Sequence, residues 1–164
     1  MPTKSDLLLT ATAPIVWGST YIVTTEFLPP DIPLTIAALR ALPAGLLLLA
    51  LVRQLPGRDW LGRILVLGAL NFAIFWALLF VSAYRLPGGV AATVGAVQAL
   101  AVVFLSRMVL GISIRFLAVF AAMLGMGGVA LLLLTPTAAL DPVGIAAGIG
   151  AALAMAGGTV LSRR

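Results

Sequence analysis

The chain has 164 residues, 62% of them hydrophobic and 9% charged, with a formal net charge of +5 and neither cysteine nor histidine. An ordinary soluble domain carries about 25% charged residues, so a water-exposed globule is excluded, and the missing Cys and His remove disulfides, thiol chemistry and the usual zinc or haem ligand sets. The basic residues stand one or a few at a time between apolar stretches and form no stripe, which argues against nucleic acid as a partner.

Taken in chain order, six apolar stretches are long enough to cross a membrane, because ~20 residues rising ~1.5 Å each span a ~30 Å hydrocarbon core. They are Leu7–Thr25, Pro33–Val52, Ile64–Tyr84, Leu86–Ser106, Phe116–Leu134 and Pro142–Leu161, and Arg40 is the one charge inside them. The expected fold is an all-α membrane protein, a polytopic bundle of six transmembrane helices with the lipid bilayer as its solvent. The first stretch is too long for a signal-peptide core and lacks a small-x-small cleavage site, so it is expected to stay as a span.

Span one carries the most polar residues: Trp17, Thr20 or Tyr21, and Thr24 recur at helical spacing and share a face. Pro14 removes a backbone hydrogen bond from the same helix and predicts a kink. In span two, Arg40 lies roughly 12 Å from the nearer helix end at helical rise. A mid-membrane arginine costs ~2.5 kcal/mol or more, so it must face protein or water. Two roles stay open for it. It can grip an anionic solute group through its guanidinium fork, or it can snorkel and pair with helix-end carbonyls, Glu26 or Asp31.

Span three places Asn71, Phe75 and Ser82 along one stripe with Trp76 adjacent, and span four has Gly95 and Gln98 on one face with Thr93 nearby. Together with span one they form a candidate lining for a hydrated pocket, giving Arg40, Asn71, Gln98, Thr20, Tyr21, Trp17 and Trp76 as candidate solute-binding residues. The competing reading is that these groups bond neighbouring helices at ~0.6 kcal/mol each, with Trp17 and Trp76 as packing residues. Spans four to six are rich in glycine, including Gly125, Gly127, Gly128, Gly157, Gly158 and the small-xxx-small run Gly144-Ile-Ala-Ala-Gly148, a helix-packing signal.

The connections fit six spans. Pro29, Pro30 and Pro33 stiffen the first, Pro56-Gly57 turns the second, Pro87-Gly88-Gly89 tightens the third, and Pro136 with Asp141-Pro142 brackets the last. If the helices alternate in direction, Lys4, Arg53, Arg58, Arg63, Arg107, Arg115, Arg163 and Arg164 fall on one side, leaving Arg85 with Glu26, Asp31 and Asp141 on the other. The positive-inside rule then puts both termini in the cytoplasm of a cell that carries the protein in its cytoplasmic membrane.

Several local runs resemble the EamA family of the drug/metabolite transporter superfamily: Trp17-Gly18-Ser19-Thr20-Tyr21 in the first helix, Arg40-Ala41 with Pro43 in the second, Ala91-Ala92-Thr93 through Gln98 to Leu110-Gly111 in the fourth, and Leu124-Gly125 through Leu134 in the fifth. The resemblance implies a transporter of amino acids, other small metabolites or drug-like solutes, by export or import, working by alternating access without cofactor and without bond chemistry. It also implies half of an inverted-repeat architecture: residues 1–135 as a five-helix repeat and residues 136–164 as the first helix of a second repeat, with Gly157-Gly158-Thr159 echoing Gly18-Ser19-Thr20. Two positions depart from the family pattern: Ala99 stands where a proline usually follows the glutamine, and Ile112 where a glutamate usually follows Leu110-Gly111. On this reading the glycine surfaces of span six, Gly144 with Gly148 and Gly157 with Gly158, lack their family partners. They favour a homo-oligomer or a complementary half-transporter, and the alternative is a truncated, transport-inactive protein acting only through helix association. No nucleophile–base pair, phosphate loop or metal cluster is present in the sequence, so an enzyme is not expected.

Overall fold

The computed structural model describes residues 4–29, 31–133 and 140–164. Among these, six helical rods follow one another: α1 (Lys4–Glu26), α2 (Pro33–Val52), α3 (Arg58–Arg85), α4 (Gly88–Leu110), α5 (Phe116–Leu133) and α6 (Pro142–Leu161). The chain is therefore an all-α membrane bundle, and the expected spans are recovered to within a few residues at most ends. Leu134 and Pro136, expected at the end of span five and in the last connection, lie outside the described residues, as does Pro30.

Local chemistry accounts for the ends. Pro33 opens α2 at its first position, where a missing N–H costs nothing. The same helix stops at Arg53, which turns into the left-handed region at φ 52° and returns its N–H to the Leu49 carbonyl over 2.9 Å. Helix α4 closes in the same way at Gly111, φ 68°, where glycine takes the conformation without steric penalty. Asp141 caps α6 by accepting from the backbone N–H of Val143 at 2.7 Å and Gly144 at 3.1 Å.

Two rods are not uniform α-helix. In α3, a single 3₁₀ turn at Arg58–Trp60 leads into α-helix, and residues Ala69–Ile74 widen into a π-helical segment before α-helix resumes. Helix α4 breaks at Ala96, whose N–H is shared between the Ala92 and Thr93 carbonyls at 3.1 Å each. Helix α1 stays helical through Pro14.

The bundle is organised around its last helix. Half of α6 is buried, against 6% of α2 and 17% of α4. Its inward residues are alanine and glycine with Val160, whereas leucines 46, 47, 48 and 51 of α2 point outward. That inversion suits a bilayer, where lipid tails are as apolar as leucine and close backbone approach supplies the packing energy. Helix α6 runs antiparallel to α3: a Cβ at Gly144 would meet Leu86 at 2.8 Å, one at Gly148 would meet Ser82 Oγ and Val94 at 2.8 Å, one at Gly150 would meet Leu78 at 3.0 Å, and one at Gly158 would strike the Asn71 amide. These glycine surfaces, expected to lack their family partners, are met from within this chain. Residues of α3 and α4 fill them, because side chains no larger than a methyl let the helices close. Gly125, Gly127 and Gly128 of α5, by contrast, have nothing near them among the described residues.

Polar ties mark the two ends of the bundle. At one, Tyr84 Oη donates to the Pro29 carbonyl over 2.7 Å and Arg85 pairs with Asp141 at 3.2 Å. At the other, Arg63 donates to the Leu161 carbonyl over 3.4 Å.

Candidate functional site

The unevenness of α3 and α4 makes room between helices. Where α4 breaks at Ala96, a cleft of about 320 Å³ opens between α1, α3, α4 and α6, lined by Trp17, Thr20, Phe75, Ser82, Gln98 and Gly148 among others. Nearer the Arg63 end, beside the π segment, a second cleft of about 360 Å³ is lined by Trp17, Asn71, Phe75, Trp76, Met155 and Thr159 with two further residues. Trp17 and Phe75 belong to both walls. Phe75 is 6% exposed and Trp17 46%.

The candidate residues thus divide. Trp17, Thr20 and Gln98 reach the first cleft, and Trp17, Asn71 and Trp76 the second. The side chain of Tyr21 lies outside what the structure describes. Arg40 lines neither cleft. Its Nη1 donates to Thr20 Oγ1 over 2.8 Å, and its guanidinium carbon stands 4.4 Å from the centroid of the Trp76 ring. Trp76 in turn stacks on Phe80 at 5.8 Å. Of the partners considered from the sequence, neither Glu26 nor Asp31 pairs with Arg40 among the described residues. A hydroxyl and an aromatic face take that place, both compatible with a dry setting.

Asn71 serves two neighbours. Its Nδ2 donates to the Leu67 carbonyl over 3.0 Å, and its amide fills the notch left by Gly158. A π turn widens the helix by one residue and is common where a side chain must be aimed away from the regular lattice; here it carries Asn71. Gln98 belongs to the wall of the first cleft. Apart from Gln98, Thr20 and Ser82 the first cleft is apolar, and no charged side chain belongs to its lining.

Sequence reasoning missed the contribution of α6. Gly148, Ala151 and Ala152 form one wall of the first cleft. The sequence carries the signal as small residues at helical spacing from Gly144 to Gly158, which mark a packing face without saying which helices meet it.

The EamA-like transporter family matches residues 4–134. Protein PecM of Dickeya dadantii (strain 3937) is 49% identical over 152 residues, which cover 93% of this chain and 51% of the relative. The chain spans about half the length of that curated relative. No solved structure matches.

Proposed function

The chain belongs to the EamA-like transporter family, and from that premise we propose that its first cleft holds a small metabolite or drug-like solute during alternating access across the cytoplasmic membrane. The observation that carries this reading is the break in α4 at Ala96 beside Gln98. Irregular backbone at membrane depth is tolerated where it is buried in protein or lines a cavity, and sites of this kind are mostly apolar with a few placed polar groups. Trp17 and Thr20 face the solute from α1, and Asn71 and Trp76 line a vestibule on the far side of Trp17 and Phe75. Arg40 acts through Thr20 and Trp76.

In this proposal residues 1–135 form one five-helix repeat and residues 136–164 open a second. Both termini face the cytoplasm, because most of the basic residues gather at the Arg63 end. Reporter fusions after Arg58 and Arg164 should read cytoplasmic and one after Asp141 external; an external reading at Arg164 refutes the orientation. Transport is tested by reconstituting the chain in liposomes with a panel of amino acids and amphiphilic drugs. Saturable uptake supports the proposal.

A second reading is favoured by one observation, the half-length match to PecM. On it, these helices bind solute without moving it, and a complementary half completes the route, since alternating access rocks two repeats about a shared site. Solute binding without saturable uptake is the result that selects this reading.

A further inference from the structure

Hydroxyl groups in membrane helices ordinarily satisfy themselves on their own backbone. Thr10, Thr24, Thr93 and Thr159 each donate to the carbonyl four residues back, at 2.7 to 3.0 Å, and Ser19 to the one three back at 2.8 Å. Ser82 does not. It is 1% exposed, and its Oγ has no partner among the described residues. It belongs to the wall of the first cleft, opposite Gly148, where the absence of a Cβ is all that leaves the hydroxyl room. An orphaned buried hydroxyl is unfavourable unless another state satisfies it.

We propose that Ser82 is the polar anchor of the first cleft, and that it recognises an uncharged hydrogen-bonding group, a carbonyl, carboxamide or hydroxyl, on an otherwise apolar solute. The assignment rests on reading this cleft as the solute site. A carboxylate does not suit it. The lining itself holds no cation: the Arg40 guanidinium stands behind the wall residue Thr20, bonded to it and lying over Trp76, so no charge in the wall offsets the desolvation of an anion. Ser82 Oγ is tightly covered in this conformation, with Gly148 against it. Separation of α6 from α3 and α4 uncovers it. A solute that bonds the hydroxyl then favours the opened arrangement over this one, the differential interaction that a population shift requires.

The probes are benzamide, benzoate and toluene, titrated by saturation-transfer NMR against the full chain in lipid nanodiscs with empty nanodiscs subtracted. Benzamide should bind more tightly than benzoate. Ser82→Ala should weaken benzamide about fivefold, the worth of one net hydrogen bond, and leave toluene unchanged, whereas Ser82→Thr, which restores a hydroxyl, should recover part of the loss. Ser82→Ala should also melt no lower than the wild type, since it removes an unpaired polar group. Equal benzamide affinity in wild type and Ser82→Ala, an equal loss for toluene, or a preference for benzoate overturns the anchor and leaves the cleft standing as a solute site. Failure of the wild type to bind any of the three probes overturns both.

Discussion

Arg40 and Thr20, twenty residues apart on neighbouring helices, are joined by a 2.8 Å hydrogen bond in which the guanidinium donates and the hydroxyl accepts. The same guanidinium covers the Trp76 ring, so one side chain ties α2 to both α1 and α3. A mid-membrane cation held in this way has its charge and one of its donors engaged inside the bundle.

Arg40→Lys keeps the charge but gives up the planar group that lies on Trp76. It should insert normally and lose about 1 kcal/mol of stability, with Arg40→Gln losing more. A double-mutant cycle with Trp76→Leu, read by unfolding in detergent, should return a coupling of about 1 kcal/mol. Additive losses would show that the ring and the guanidinium do not interact.

Gly158→Ala drives a methyl group into the Asn71 amide, and in a packed site such overfilling costs about 1–3 kcal/mol. Asn71→Ser in the same chain should recover much of that loss by shortening the obstructing side chain. Gly125→Ala, with open space around it, should shift stability by less than about 0.5 kcal/mol. Melting temperatures in one detergent compare all three, and an equal loss at 125 and 158 would refute the α3–α6 packing.

The Asp141 carboxyl is held below its ordinary value by the backbone N–H of Gly144, then that of Val143, with Arg85 adding to both. A depressed folded-state value means that the contribution is complete above the unfolded value, near pH 4, and is lost as pH falls through the lower folded one. Amide exchange at Val143 and Gly144 should therefore be steady above about pH 5 after correction for intrinsic rates, and protection should decline below pH 4. Asp141→Asn, which keeps an accepting oxygen without the charge, should show no such decline. A decline of equal size in the variant would assign it to another group.

Ala99 occupies the third position of the second half of α4, and its N–H makes a long 3.3 Å bond to the Ala96 carbonyl. Little is therefore lost if a proline stands there, as it does in the family pattern that the sequence resembles. Ala99→Pro should fold with a loss well below the ~3 kcal/mol expected for proline in a helix interior. Ala101→Pro, two residues further and buried, should suffer the full loss. Comparable unfolding of both variants would contradict a break at Ala96.

Six spans could be read from the sequence because membrane length and charge exclusion act on each segment alone. Arg40 stood out for the same reason. The partners it takes could not be read, since Thr20 and Trp76 reach it only once α1, α2 and α3 are docked. Nothing in the run Ala69-Leu-Asn-Phe-Ala-Ile announces a π turn, and nothing in the composition of α6 says that it is innermost. Both show only in the docked bundle, where Asn71 of the π turn lies against Gly158 of α6. In the sequence Ser82 is one more hydroxyl on a stripe, and only the folded bundle shows its Oγ without a partner among the described residues.

The central place of α6 bears on how the protein is made. Helices leave the ribosome in order, so α1 to α5 enter the bilayer before the helix that unites α3 with α4 has been synthesised. Until Pro142–Leu161 inserts, Asn71, Ser82 and Val94 lack the cover that Gly158 and Gly148 later give them. A nascent chain interrupted ahead of α6 leaves the Asn71 and Ser82 side chains without that cover.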